Sequence, residues 1–283
     1  MALTAPRTAQ PKVKLHDGNE VPAIGFGTYE MEGEEVYNAV RWALEAGYRH
    51  IDSAEWYENE KEVGRAILDW CKETSMPREA IFYTTKLKYN SGYANARAAM
   101  KKSLEDCGLG YIDLYLLHGP IGGPEMRLES WKAAIDSKKE GLFRSIGVSC
   151  FSIRHLSEII DAGLEVPTVN QIDLHPFMTR TEIVAFCRKH GIALEAWAPL
   201  VRGLRFRHSK IVALAEKYKK DPAHVLLRWS FQKGFIAIPK SAKKSRIESN
   251  LSVFDFELTG EEITELDALD EYLVTDWDPV NEP

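Results

Sequence analysis

Eight short apolar runs alternate with helical stretches along almost the whole chain, and this alternation constrains the fold more than any other feature. The runs begin at Ala23 (AIGFGTY), Arg49 (RHIDSA), Ile81 (IFYTTK), Ile112 (IDLYLLH), Arg144 (RSIGVS), Thr168 (TVNQIDL), Ile192 (IALEAWAP) and Phe235 (FIAIPK). Each has the length and near-continuous apolar character of a strand buried on both faces. Between them the period changes to that of a helix. In EEVYNAVRWALEAG the residues Val36, Ala39, Val40, Ala43 and Leu44 fall on one face, and Gly47 follows as a C-cap. Strands separated by crossover helices predict a parallel sheet. Eight units in 283 residues match a closed (β/α)8 TIM barrel, which needs ~250.

The rival, an open doubly wound sheet, usually carries a G-x-G-x-x-G turn, and GFGTYE from Gly25 has only the first two glycines. The surplus at each end also has a place. VKLHDGNEV from Val13 predicts a β-hairpin around Asp17-Gly18 that closes the barrel bottom. TGEEITELDALDEYL from Thr259 predicts an extra C-terminal helix with Thr259 as N-cap and Glu262 completing a capping box. The chain is read as one domain over residues 1–283, with residues 1–12 as a flexible tail.

Composition narrows the function. The formal net charge of −6 does not favour a nucleic-acid partner, whose usual footprint is a basic face. No apolar run approaches the ~18 residues that span a bilayer, and the first residues contain no secretory apolar core. A cytoplasmic protein without membrane contact is expected. Four dispersed cysteines and eight histidines form no recognisable ligand spacing, so no metal is expected.

In a barrel of this kind, chemistry gathers where the strands end. The polar residues there are Asp52 and Tyr57 after the second run, Lys86 after the third, His118 after the fourth and Ser149 after the fifth. Asn170 and Gln171 lie in the sixth, Trp197 in the seventh, and Lys240 and Ser241 at the end of the eighth. Each alone has a plainer explanation: a turn acceptor, a packed loop ring, a snorkelling lysine, a hydrogen-bonded histidine. An acid, a phenol, an ammonium and an imidazole on neighbouring units of one rim are much harder to explain that way.

GYRHIDSAEWYENEKEVG over residues 47–64 resembles the signature of the aldo-keto reductases. FYTTKL, DLYLLHGP, IGVS, VNQIDLHP and AIPKSAKKSRIESN follow in that family's order. The chain is similar to its short fungal members that reduce aldoses and small aldehydes. The resemblance implies reduction of aldehydes, aldoses or keto esters by hydride transfer from NADPH, with Tyr57 as proton donor. A free phenol titrates near pH 10, and a neighbouring cation, Lys86, is expected to lower that value. Asp52 would hold Lys86, and His118 would orient the carbonyl oxygen.

The same resemblance assigns Ser149, Gln171, Trp197, Leu200, Lys240, Ser241, Arg246 and Asn250 to the cofactor. The family usually has Asn where Cys150 follows Ser149, and an acidic residue where Ser249 precedes Asn250. Lys240, Lys243, Lys244 and Arg246 place four positive charges within seven residues, which suits a 2′-phosphate. Tyr29, Trp56 and His118 would contact substrate. Lys88 and Gly119 stand where many relatives have rings, which predicts a wide, polar mouth. A monomer is expected from the resemblance. A nicotinamide-binding regulatory module without turnover is the alternative. A non-redox isomerase would need a carboxylate base at the rim besides Asp52, and none is evident.

Overall fold

A computed structural model of the protein describes residues 10–283. The strands are β1 (Lys12–Lys14), β2 (Glu20–Pro22), β3 (Phe26–Gly27), β4 (His50–Asp52), β5 (Phe82–Leu87), β6 (Ile112–Leu117), β7 (Phe143–Ser149), β8 (Val169–Asp173), β9 (Ala193–Trp197) and β10 (Ile236–Ala237). Strands β3 to β10 pair in parallel in sequence order. Parallel bridges between Ile24 and Ala237 and between Gly27 and Lys240 join the first of these to the last. The sheet is therefore closed: this is the (β/α)8 barrel, with no free edge to protect.

The helices are α1 (Gly33–Ala46), α2 (Glu60–Thr74), α3 (Tyr93–Cys107), α4 (Gly123–Lys139), α5 (Ile153–Asp161), α6 (Thr181–Lys189), α7 (Ser209–Tyr218), α8 (Pro222–Gln232), α9 (Lys244–Ser249) and α10 (Gly260–Asp267). On α1 the expected face, Val36, Ala39, Val40, Ala43 and Leu44, is buried. Gly47 ends the helix at φ 117°, its N–H donating to Ala43 O and Leu44 O. That left-handed backbone strains any residue with a Cβ. Thr259 caps α10 through the reciprocal box with Glu262, but the helix stops at Asp267 and not near Leu273. The chain beyond it leaves the helical path to run across the barrel mouth. No helix among the described residues is long and apolar enough to cross a membrane.

β1 and β2 form the expected hairpin, with Val13 opposite Val21. Its Leu15 and Val21 cluster with Phe82, Leu114, Leu116, Val169 and Ile236, so it plugs one end of the barrel. Of the tail expected over residues 1–12, residues 1–9 lie outside the described residues. The rest is tied down: Gln10 Nε2 donates to Gly47 O at 2.8 Å, and Lys12 begins β1.

The two-residue period of the strands decides which side chains enter the barrel. On β6, Leu114 and Leu116 belong to the inner cluster while Tyr115 and Leu117 face the helices. On β5, Phe82 points inward, so Thr84 and Lys86 do too. The same alternation turns His50 and Asp52 inward on β4, Gln171 and Asp173 on β8, and Glu195 and Trp197 on β9. Apolar residues fill the end beside the hairpin, and polar ones collect toward the strand C-termini.

Candidate active site

At that polar end lies a cleft of about 1080 Å³, lined among others by Tyr29, Trp56, Tyr57, His118, Ser149, Gln171, Trp197, Leu200, Lys240, Ser241, Arg246 and Asn250. It lies at the upper end of the ~300–1,000 Å³ of ordinary small-molecule pockets.

Lys86 lies beneath this cleft, fully buried. Its Nζ donates to Asp52 Oδ1 at 2.7 Å, Ser53 O at 2.8 Å and Tyr57 Oη at 3.2 Å, which uses all three of its N–H bonds. Burial alone would push Lys86 down, but Asp52 and Tyr57 outweigh it and hold the ammonium above the usual lysine value. At Tyr57 the expected lowering by Lys86 is present but burial outweighs it. Burial pushes its phenol up to about 12, and Lys86 only partly opposes this. The lysine makes the phenol more acidic than burial alone would leave it, but not more acidic than free tyrosine. The phenol therefore keeps its proton at neutral pH.

His118 directly follows β6, its N–H donating to Leu87 O at 3.2 Å. Its ring stands edge-on to Tyr57 with centroids 5.5 Å apart. Burial, aided by the Lys86 charge, drives its pKa well down, so the imidazole is neutral. Nδ1 is buried without a partner among the described residues.

On the opposite wall, Ser149 Oγ donates to Gln171 O at 3.0 Å. Cys150 follows in a left-handed conformation, φ 57°, one that Asn adopts more readily than Cys. Burial pushes its thiol up to about 11. Gln171 Nε2 donates to Asp52 Oδ2 at 2.9 Å and to Glu195 Oε1 at 2.5 Å. Glu195 is fully buried; burial, reinforced by the Asp52 charge, pushes it up to about 8. It was absent from the sequence-based set, although its place two residues before Trp197 in an alternating strand already puts both on one face.

The loop after β9 carries Ala198, Val201 and Arg202 at φ 48°, 54° and 47°. Such values are costly for residues with a Cβ, above all the β-branched Val201, and persist only where the surrounding structure holds the backbone. Arg202 bridges to Glu30 at 3.1 Å and to Asp276 at 3.5 Å, linking three loops at the rim. Only part of the basic loop faces the cleft. Lys240, Ser241 and Arg246 line it, whereas Lys244 turns away to Glu45 at 3.4 Å and Lys243 does not line it. The Ser241 hydroxyl accepts from Lys243 N at 3.2 Å. Asn250 is buried at the far end, beside Ser249.

The mouth differs from the wide opening expected. Trp277, from the segment after α10, packs against Trp56 and His118 at centroid distances of 5.7 and 6.0 Å. A Cβ at Gly119 would lie 2.5 Å from Trp277 Cη2, so the ring fills the space that the missing side chain vacates. Lys88 is drawn toward Glu58, 3.5 Å away, and does not line the cleft. Tyr29 and Trp56 do line it, as expected.

A sequence profile of the Aldo/keto reductase family matches residues 23–271, and the chain belongs to that family. Among its relatives, an uncharacterised oxidoreductase of Schizosaccharomyces pombe is 44% identical, covering 96% of this chain and 98% of its own. Methylglyoxal reductase DkgA of Escherichia coli is 43% identical over 92% of this chain and 93% of its own. The crystal structure of a Bombyx mori aldo-keto reductase in complex with NADP superposes with a TM-score of 0.90 at 36% identity, covering 96% of this chain and 97% of the other.

Proposed function

We propose that this protein is an NADPH-dependent reductase of small aldehydes and ketones. The observation that carries this reading is the contact of Lys86 Nζ with Tyr57 Oη at 3.2 Å, with Asp52 behind it, under a cleft of about 1080 Å³. The chain's own groups fit the cofactor. Gln171 Oε1 makes no hydrogen bond among the described residues while both amide hydrogens are engaged inside the barrel. Lys240 and Arg246 line the cleft without an ion pair among the described residues, as a phosphate site requires. Ser241 and Asn250 would join them, and Trp197 offers an indole face for stacking. Ser149 and Leu200 would complete the nicotinamide side. The NADP complex of the Bombyx mori relative supports the cofactor, and the name of the Escherichia coli relative supports a small carbonyl substrate.

The bound nicotinamide supplies a hydride; the protein supplies alignment and a proton. Neutral His118 orients the carbonyl oxygen by a hydrogen bond without competing as an acid. Tyr57 gives its proton to that oxygen as alkoxide character develops, because an alkoxide is a stronger base than a phenolate. Lys86 stabilises the phenolate left behind, and Asp52 keeps Lys86 charged. Tyr29, Trp56 and Trp277 wall the substrate space.

The test is loss of NADPH absorbance with a panel of aldoses, aromatic aldehydes, dicarbonyls and β-ketoesters, run also with NADH. Turnover with at least one class is expected, with Tyr57→Phe lowering kcat by about 10²- to 10⁴-fold. Cofactor binding without turnover on any carbonyl would leave only a nicotinamide-binding module.

A further inference from the structure

Glu195 has no part in the proton-donating set, yet a single side chain, Gln171, connects it to Asp52. Its Cα is in register with that of Gln171 across the β8–β9 pair, so the two side chains enter the barrel side by side. Gln171 Nε2 lies between two carboxyl groups, Asp52 Oδ2 at 2.9 Å and Glu195 Oε1 at 2.5 Å. All three residues are buried. An amide has two N–H donors and one carbonyl oxygen. Rotating the amide by half a turn would set its oxygen against the Asp52 carboxylate, acceptor against acceptor. Asp52 alone would satisfy only one of the two N–H bonds, and the second would be buried and unpaired, or would swing out toward the cleft.

We infer that Glu195 is a positioning residue that takes the second Gln171 N–H and thereby fixes Oε1 toward the cleft, as the acceptor for the nicotinamide carboxamide. This rests on the cofactor reading above. Glu195 itself touches neither substrate nor cofactor. Its function is to decide which end of a neighbouring amide the ligand meets. It also extends the Asp52–Lys86–Tyr57 set into one continuous chain, so that carboxamide recognition and proton donation share a support.

The experiment separates the nicotinamide half of the ligand from the rest. Binding of NADP+ and of adenosine 2′,5′-bisphosphate, which lacks the nicotinamide, is measured by calorimetry on wild type, Glu195→Met, Glu195→Leu and Glu195→Gln. The apolar variants should bind NADP+ roughly tenfold more weakly, the scale of one hydrogen bond between amide groups. They should bind the bisphosphate within about twofold of wild type. Glu195→Gln, whose amide oxygen can still accept, should restore NADP+ affinity to within about threefold. Unchanged NADP+ affinity in the apolar variants would overturn the inference, as would equal weakening of both ligands. Unfolding of both apolar variants would overturn it too, since Glu195 would then be holding the barrel and not the amide. Wild-type protein that binds no NADP+ would refute the cofactor reading itself, and the inference with it.

Discussion

Removing the lysine beneath the cleft tests the electrostatics of the site most directly. In Lys86→Met the chain keeps a linear apolar side chain but loses a fully buried ammonium. Asp52, only 2% exposed, loses its ion pair at 2.7 Å and keeps, among the described residues, the Gln171 amide as its one side-chain donor. Removing one partner of a buried pair typically costs ~3–5 kcal/mol, because the other charge remains and is uncompensated. Lys86→Met should therefore lower the unfolding free energy at pH 7 by about that amount in a urea titration followed by tryptophan fluorescence. The double variant Lys86→Met/Asp52→Asn removes the stranded charge and should recover ~2 kcal/mol or more. Activity should fall unequally. The Tyr57 phenol, already pushed up to about 12 by burial with Lys86 opposing it, would lose the group that stabilises its phenolate. Alcohol oxidation, which needs the phenolate as base, should then suffer more than carbonyl reduction. A single variant costing under ~1 kcal/mol, or a double variant less stable than the single one, would refute this account of the pair.

Three further outcomes are expected. Arg246→Ala should reduce the kcat/KM preference for NADPH over NADH by roughly 10- to 100-fold, the range for a charge-assisted hydrogen bond; an unchanged ratio would remove Arg246 from the phosphate site. Gly119→Ala places a Cβ 2.5 Å from the Trp277 ring and should displace it, costing ~1–3 kcal/mol of stability. Steady-state kinetics should then show a raised KM for small carbonyls and a relative gain for bulkier ones, and identical selectivity would deny Trp277 a part in the substrate space. Burial pushes Glu60 up to about 7 against a usual carboxyl value of about 4.3, so its neutral form is the one the fold favours. The stability it contributes is full below the unfolded value and is lost as pH rises to about 7, amounting to ~4 kcal/mol. Glu60→Gln should abolish that part of the dependence, read as the difference between the two proteins in urea titrations from pH 4 to about 8; parallel profiles would contradict it.

The barrel, and the meeting of Asp52, Tyr57, Lys86 and His118 at its polar end, were legible because both follow from local pattern. Strand runs, helical faces and caps repeat at fixed periods, and a residue at a strand end faces the mouth wherever the strand sits. Glu195 was within reach of the same logic, since the alternation Ala193, Glu195, Trp197 puts it on the inner face. Trp277 was not. Its place depends on how the segment after α10 crosses the mouth, held by Leu273 N donating to Phe177 O at 2.9 Å and by Thr275 Oγ1 donating to Asp173 Oδ2 at 3.1 Å. Spacing along the chain could not tell which charges of the basic loop face the cleft: it does not distinguish Arg246, which lines it, from Lys244, which pairs with Glu45.

By itself, then, the sequence determined the closed barrel, the hairpin at its base and the residues that meet at its rim. Only the tertiary structure decided that burial outweighs Lys86 at the Tyr57 phenol, that both Gln171 amide hydrogens are engaged inside the barrel, and that the mouth is walled by a tryptophan from the far end of the chain. The division has one physical cause. Periodicity and capping act over a few neighbouring residues, whereas desolvation, amide orientation and the filling of a gap depend on partners such as 52 with 171 and 195, or 119 with 277, that come together only when the barrel closes.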